Sequence, residues 1–236
     1  GDCVEEIVWN VGRILDTLKK LNIDENTIVI YTTDNGPWVI PSNSQRLQSA
    51  KTSRLQGGNA DPLRGFKLTS WDGGLRVHFI IRYPSTIKAG GVSDELVSSM
   101  ELLPTIAQLT GTKVPAERTI DGYDISKLLT GKVKKSPRND FYYYKWMHLH
   151  AVRDKEWKLT LPRKAHPEEL KWYTKLQEEI TAPLLFNLKD DIGESTNVAK
   201  ENPKVVKRMM KIVKKAQADL GDYSRNIKGK GVRHIK

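Results

Sequence analysis

Cysteine is almost missing. The chain carries only Cys3, which excludes an internal disulfide framework and any zinc site built on a cysteine cluster. No window approaches the ~18 consecutive apolar residues of a membrane span. Gly1 to Glu6 have neither the basic stretch nor the apolar run of a secretory leader. There is no P-loop, no dinucleotide fingerprint and no Ser/His/Asp signature. No segment repeats, which argues against a solenoid.

What is present suits a globular protein. Hydrophobic residues make up 38% of the 236 and charged residues 28%, enough for one large domain or two modest ones and too apolar for wholesale disorder. The net charge of +11 is uneven: residues 200–236 hold twelve Lys and Arg against three Asp and Glu. The plain reading of this stretch is a solvated helix face followed by a loose tail. The sharper reading is attraction to a polyanion such as nucleic acid, anionic lipid or sulfated glycan.

Val4, Ile7, Val8, Val11, Ile14, Leu15, Leu18 and Leu21 follow one helical face, and Asn22 is a natural stop. Thr27 to Thr33 is a β-branched run with little alternation, the pattern of a strand buried on both faces. Helix, turn and buried strand together predict half of a parallel α/β layer. Residues 39–61 read as a long surface loop. Val77 to Tyr83 reads as a strand, and Ser98 or Ser99 as the cap of a helix that ends before Gly111. Beyond a basic seam at 132–139, strands are expected at 141–144, on either side of a turn at Asp154-Lys155-Glu156, and at 184–188. Helices are expected at 166–181 and after Asn202-Pro203, ending at Gly221. Residues 222–236 lack periodicity and read as a frayed basic tail.

Few residues suggest chemistry. Asp34-Asn35-Gly36 ends a strand, where open α/β sheets gather ligands; a carboxylate and an amide oxygen are hard donors for Ca²⁺ or Mg²⁺. The same tripeptide is also an ordinary turn. Lys67 sits in a glycine-flanked loop, between Arg64 and Arg76, where a lysine acts as a point charge on a phosphate or sulfate oxygen or is simply solvated. His148 and His150 alternate on one strand face without an evident third metal ligand. His78 is expected to pack on its strand, His166 to begin a helix and His234 to lie in the tail. Cys3 is expected to be a structural thiol.

In order, the segments Val11-Gly12-Arg13-Ile14-Leu15, Asn26 to Pro37, Pro62-Leu63-Arg64-Gly65-Phe66-Lys67, Trp71-Asp72-Gly73-Gly74-Leu75-Arg76-Val77, Ser93 to Val97, Leu102 to Ile106, Asp121-Gly122-Tyr123-Asp124 and Phe186 to Asn197 resemble the sulfatase family of the alkaline-phosphatase-like superfamily. The match runs from residue 4 to about residue 215. The resemblance implies an α/β fold: the C-terminal part of a mixed sheet flanked by helices (residues 1–138), a small α+β subdomain with an antiparallel sheet and a terminal helix (139–221), and the basic tail (222–236). It implies hydrolysis of aryl or carbohydrate sulfate esters by a hydrated formylglycine, assisted by a divalent cation, usually Ca²⁺, with Mg²⁺ as the other candidate. By motif, Asp34 and Asn35 correspond to two metal ligands and Lys67 to a sulfate contact; His148 and His150 are candidates for the substrate rim. The implied compartment is periplasmic, secreted or lysosomal.

The Cys/Ser-x-Pro-x-Arg motif that yields formylglycine is missing, as are the family's N-terminal Asp-Asp pair and the Lys and His that follow it. The chain therefore reads as the C-terminal half of a sulfatase, with the nucleophile outside it and the N-terminal half as partner. Leu68 stands where a small residue usually follows the lysine, and His78 where proline is usual. The competing readings are a phosphatase or phosphodiesterase of the same superfamily, which would recruit a second metal, and a non-catalytic polyanion-binding module using residues 200–236, with nucleic acid its weaker partner.

Overall fold

The computed structural model describes residues 2–38, 57–165 and 178–233. Most of the loop expected at 39–61, most of the helix expected at 166–181, His166 and His234 lie outside the described residues. The chain divides into two compact units, Gly1–Thr32 with His78–Pro137 and Thr33–Val77 with Arg138–Lys236. No described helix is long and apolar enough to cross a membrane.

The first unit opens with α1 (Asp2–Lys20). Its helical stop is at Asn22, which takes a left-handed φ of 56°. Asn22 N–H donates to the Lys19 carbonyl and Ile23 N–H to Leu18, the paired bonds of a Schellman ending. The apolar stripe is there, but no residue of α1 is buried; Val4, Ile7, Val8, Trp9 and Ile14 stand open. Strand β1 (Val29–Thr32) pairs with β2 (Phe79–Arg82), Val29 opposite Arg82. Two expectations change here. The ladder is antiparallel, and no parallel ladder occurs among the described residues. Strand β1 is half-exposed rather than buried on both faces, because β2 is its one partner among the described residues. His78 precedes β2 and is exposed rather than packed on it. Ser98 caps the turn that enters helix Leu102–Leu109: its Oγ accepts from Met100 N–H, and Glu101 reaches back to Ser98 N–H.

The second unit contains the short helical turn α2 (Asp72–Leu75) and a four-stranded antiparallel sheet. Its strands are β3 (Phe141–Lys145), β4 (His148–Arg153), β5 (Trp157–Thr160) and β6 (Leu184–Asn187), adjacent in that order. Asp154 makes the β4–β5 turn by accepting from Glu156 and Trp157 N–H on one carboxylate oxygen. Helix α3 (Pro203–Leu220) lays Met209, Val213 and Ala216 on Leu149, Val152, Leu159 and Leu185 of the sheet. Burying Met209 and Val213 contributes about 1.5–3 kcal/mol each. Asn202 precedes Pro203 as expected, but its amide donates to the Val198 carbonyl instead of capping the helix. Nor is the stretch after Gly221 frayed up to residue 233. Asp222 pairs with Ile227, and Arg225 holds Asp222 and the Pro162 carbonyl.

Candidate active site

Two backbone bonds assemble the site within the second unit. Gly36 N–H donates to the Gly74 carbonyl at 3.0 Å, and Lys67 N–H donates to the Pro37 carbonyl at 2.9 Å. The loop after β1 is thereby sewn to the loop that carries Lys67. The glycines permit this closeness: a Cβ on Gly36 would fall 1.7 Å from the Gly73 carbonyl oxygen, and one on Gly74 would fall 2.5 Å from the carbonyl oxygens of Phe66 and Thr69. Three of the residues singled out in the sequence, Asp34, Asn35 and Lys67, therefore belong to one pair of tied loops.

Asp34 is exposed and Asn35 half-buried. The Asn35 amide nitrogen donates to the Gly36 carbonyl at 2.9 Å, which leaves Oδ1 as the atom to offer a cation. A carboxylate and an amide oxygen on adjacent residues fit a hard divalent ion. They supply only part of its shell, and no group of three or more His, Cys, Asp or Glu suited to a metal occurs among the described residues. Lys67 is half-buried. Leu68, beside it, holds a left-handed φ of 75°, a conformation that costs a residue with a Cβ roughly 1–2 kcal/mol. A small residue, glycine above all, would meet that backbone without strain.

Under this loop lies a buried ionic network that sequence reasoning missed. Lys158, fully buried, places Nζ 2.9 Å from Asp72 Oδ1 and 2.7 Å from Glu194 Oε1. Arg153 reaches Asp72 Oδ2 at 3.2 Å and the Tyr143 hydroxyl donates to Oδ1 at 2.8 Å. Glu194 Oε2 accepts from Asp72 N–H at 2.7 Å, the first turn of α2. Burial alone would raise the Asp72 pKa, but Lys158 and Arg153 hold it below the usual range. Glu194 goes the other way: burial raises it against the pull of Lys158, and the Asp72 charge adds to the rise. The network anchors Asp72-Gly73-Gly74, and Gly74 in turn anchors Gly36. Its one sequence trace is a lysine, Lys158, between Trp157 and Leu159 in a short strand.

The two strand histidines share a face of β4, and both are buried, His148 at 5% and His150 at 2% exposure. His148 stacks at a tilt on Tyr223. His150 Nδ1 lies 2.7 Å from Ser70 Oγ. It lines a narrow recess with Leu68, Thr69, Ser70, Trp71, Lys145, Arg163 and Glu178. Burial lowers the His150 pKa far below its ordinary value, and Arg163, Lys145, His148 and Arg225 add to the effect. Burial, with Arg163, brings Lys145 down to about 8. Cys3, on α1, is exposed and free.

The family model described as "Sulfatase" matches residues 1–112, and the one described as "N-sulphoglucosamine sulphohydrolase, C-terminal" matches residues 67–220. Human steryl-sulfatase is 38% identical over 153 residues, 65% of this chain and 25% of that protein. Human arylsulfatase H is 29% identical over 242 residues, 96% of this chain and 41% of its own length. A solved structure from Bacteroides thetaiotaomicron, described in connection with the metabolism of multiple glycosaminoglycans, superposes with a TM-score of 0.71 at 27% identity, covering 89% of this chain and 42% of that one. The chain thus spans between a quarter and about two fifths of the length of these relatives. By its match over residues 67–220 and by these relatives, the chain is a member of the sulfatase family of the alkaline-phosphatase-like superfamily.

Proposed function

We propose that this chain supplies the C-terminal share of a sulfatase active site that hydrolyses aryl or carbohydrate sulfate esters. The observation that carries the reading is the pair of bonds from Gly36 to Gly74 and from Lys67 to Pro37, which hold a hard-donor pair and a lysine on adjoining loops. Asp34 and Asn35 would hold a divalent cation, Ca²⁺ or Mg²⁺, which when bound polarises a sulfate oxygen. Lys67 would place its ammonium on the sulfate and favour the charge that grows on its oxygens or on the leaving group. The Asp34 carboxylate offsets part of the cation's charge, and Asn35 orients it through a neutral oxygen. The attacking formylglycine has no source in this chain, because Cys3 is followed by Val4 and Glu5 rather than by the Pro and Arg context of the modification motif.

The N-terminal half of the catalytic domain is the partner this reading requires. The open apolar face of α1 supports it: Val8 is 66% exposed and Trp9 61%, more contiguous apolar surface than a finished face leaves open. Together with the exposed Ile80 of β2, it offers the first unit a surface to be covered.

The test uses the complete protein, loaded with calcium and assayed on an aryl sulfate and the matching aryl phosphate. Turnover of the sulfate is expected. Asp34→Ala should weaken calcium binding by calorimetry and lower turnover together; unchanged calcium affinity would remove Asp34 from the metal site. Preference for the phosphate would move the protein to the phosphatase branch of the superfamily. Residues 1–236 alone should be inactive and should regain turnover when the N-terminal half is added.

A further inference from the structure

The recess beside Leu68 is lined with unspent hydrogen-bonding capacity. His150 Nε2, Arg163 Nε and Arg163 Nη1 are buried and have no hydrogen-bond partner among the described residues. Such atoms are rare in folded proteins, since each carries its full desolvation penalty. His150 is 98% buried by its 2% exposure, and its Nδ1 is taken by Ser70 at 2.7 Å. If the Ser70 hydroxyl donates, Nε2 carries the proton and becomes a third unused donor beside the two of Arg163.

The surroundings choose the sign of what would satisfy these donors. Lys145 and Arg163 both line the recess, and the guanidinium of Arg163 sits 5.7 Å from the Trp71 ring. Burial holds the Arg163 pKa down to about 10, with Arg64 adding to the fall while the Glu178 and Glu194 carboxylates pull the other way. Among the described residues Glu178 is the one acid lining the recess; it is engaged by Arg64 at 3.0 Å and by Trp71 Nε1, and its charge also reaches Arg163. With Lys145 and Arg163 set against that one carboxylate, the lining stays cationic on balance around a niche of about 10 Å³, room for one water or one oxygen of a larger group. Its wall includes Leu68, the residue that follows Lys67.

We propose that this recess receives one oxygen of a second anionic group, a carboxylate or a second sulfate, carried by the substrate beside the ester held at Lys67. The inference rests on the sulfatase reading and narrows it to substrates with two anionic groups. Arg163 and the Nε2 of His150 would donate to that oxygen, and Lys145 would supply charge. An arginine donating to an anion in a desolvated niche makes a charge-assisted bond stronger than a neutral one, so the second group would be read strongly.

The experiment compares a monosulfated and a disulfated form of the same sugar on the complete protein, with Arg163→Gln as the variant. The expected result is a rise of about 10- to 100-fold in KM for the disulfated sugar, by loss of charge-assisted hydrogen bonds, with the monosulfated sugar changed by less than about 3-fold. Equal effects on both sugars, or none on either, overturn the proposal and leave the sulfatase reading intact. A second arm does not need turnover. In Lys67→Ala protein, sodium sulfate at constant ionic strength is titrated by calorimetry. Saturable binding that Arg163→Gln abolishes supports an anion niche; no binding means the recess holds water only and overturns it. Sulfate binding without any KM effect on the disulfated sugar assigns the niche to a solution anion and also overturns the proposal. Should Arg163→Gln fail to fold, Arg163→Lys keeps the charge, loses Nε–H, and should raise the same KM about 3- to 10-fold; an unchanged KM counts against the niche. Failure of the wild type to turn over any sulfate ester rejects the parent reading, which the calorimetric arm distinguishes from failure of the niche.

Discussion

The backbone N–H of Lys67 donates to the carbonyl of Pro37 across 2.9 Å, which joins two loops that lie thirty residues apart in the chain. The bond fixes where the lysine loop sits against Asp34-Asn35-Gly36 and leaves the Lys67 side chain free for chemistry. It uses the main chain, so replacing the Lys67 side chain removes a charge without untying the loops.

That separation makes Lys67→Ala informative. In the complete protein, turnover of an aryl sulfate should fall by roughly 100-fold or more, the scale set by losing one donor to a developing oxyanion. Calcium affinity and thermal stability should hold. Activity within a few-fold of wild type would reduce Lys67 to an ordinary loop residue.

Gly36→Ala should act through geometry. The new methyl would meet the Gly73 carbonyl oxygen at 1.7 Å, and that oxygen belongs to backbone, which gives way only by parting the loops. Calcium affinity and turnover should both drop, although no metal donor has been altered. Gly90→Ala serves as the contrast: its Cβ would meet nothing within 4 Å, so only the cost of its positive φ of 77° remains. Equal effects of the two on calcium affinity would show that the close approach at Gly36 is not what matters.

Much of this was legible in the sequence. The helical stripe of Val4 to Leu21, the stop at Asn22, the cap at Ser98, the strand-turn-strand around Asp154 and the Pro203 helix all rest on local periodicity or capping, and each appears in the structure. Asp34, Asn35 and Lys67 were legible as types of donor and charge. What local rules could not give was pairing. Nothing in residues 27–33 says that the partner strand runs antiparallel, and a β-branched run looks buried whether or not a second face is covered. Arg225 falls in an aperiodic stretch, yet it is held by the Pro162 carbonyl, 63 positions away in sequence. The Asp72, Lys158 and Glu194 network joins residues up to 122 positions apart, and no pattern within one element signals it.

Lys158→Met should be among the most damaging changes in the second unit. It would leave Asp72 and Glu194 facing each other without the cation that sits 2.9 Å and 2.7 Å from them. Arg153 would remain on Asp72 alone. Breaking a buried pair in this way costs about 3–5 kcal/mol, read as a shift in the urea midpoint. Adding Glu194→Gln to Lys158→Met should recover part of the loss, because one buried charge then disappears. No recovery would mean that the methionine, rather than the stranded charge, does the damage.

Acid should weaken the fold through His150. Burial and the nearby positive charges of Arg163, Lys145 and Arg225 keep this imidazole neutral in the folded protein. In the unfolded chain it takes up a proton near its ordinary value of about 6.5. Below that pH the unfolded state binds more protons than the folded one, so stability rises with pH there and falls as pH is lowered. The contribution is complete above about pH 6.5 and is lost progressively beneath it, by up to about 1.4 kcal/mol per pH unit for one proton. Urea titrations at pH 7, 5.5 and 4.5 should therefore show a steeper loss in the wild type than in His150→Gln, which has no proton to exclude. The comparison cancels the carboxylates common to both proteins. Matching pH slopes would show that His150 is protonated in the folded state, and its partner Ser70, 2.7 Å away, would then have to accept from Nδ1–H.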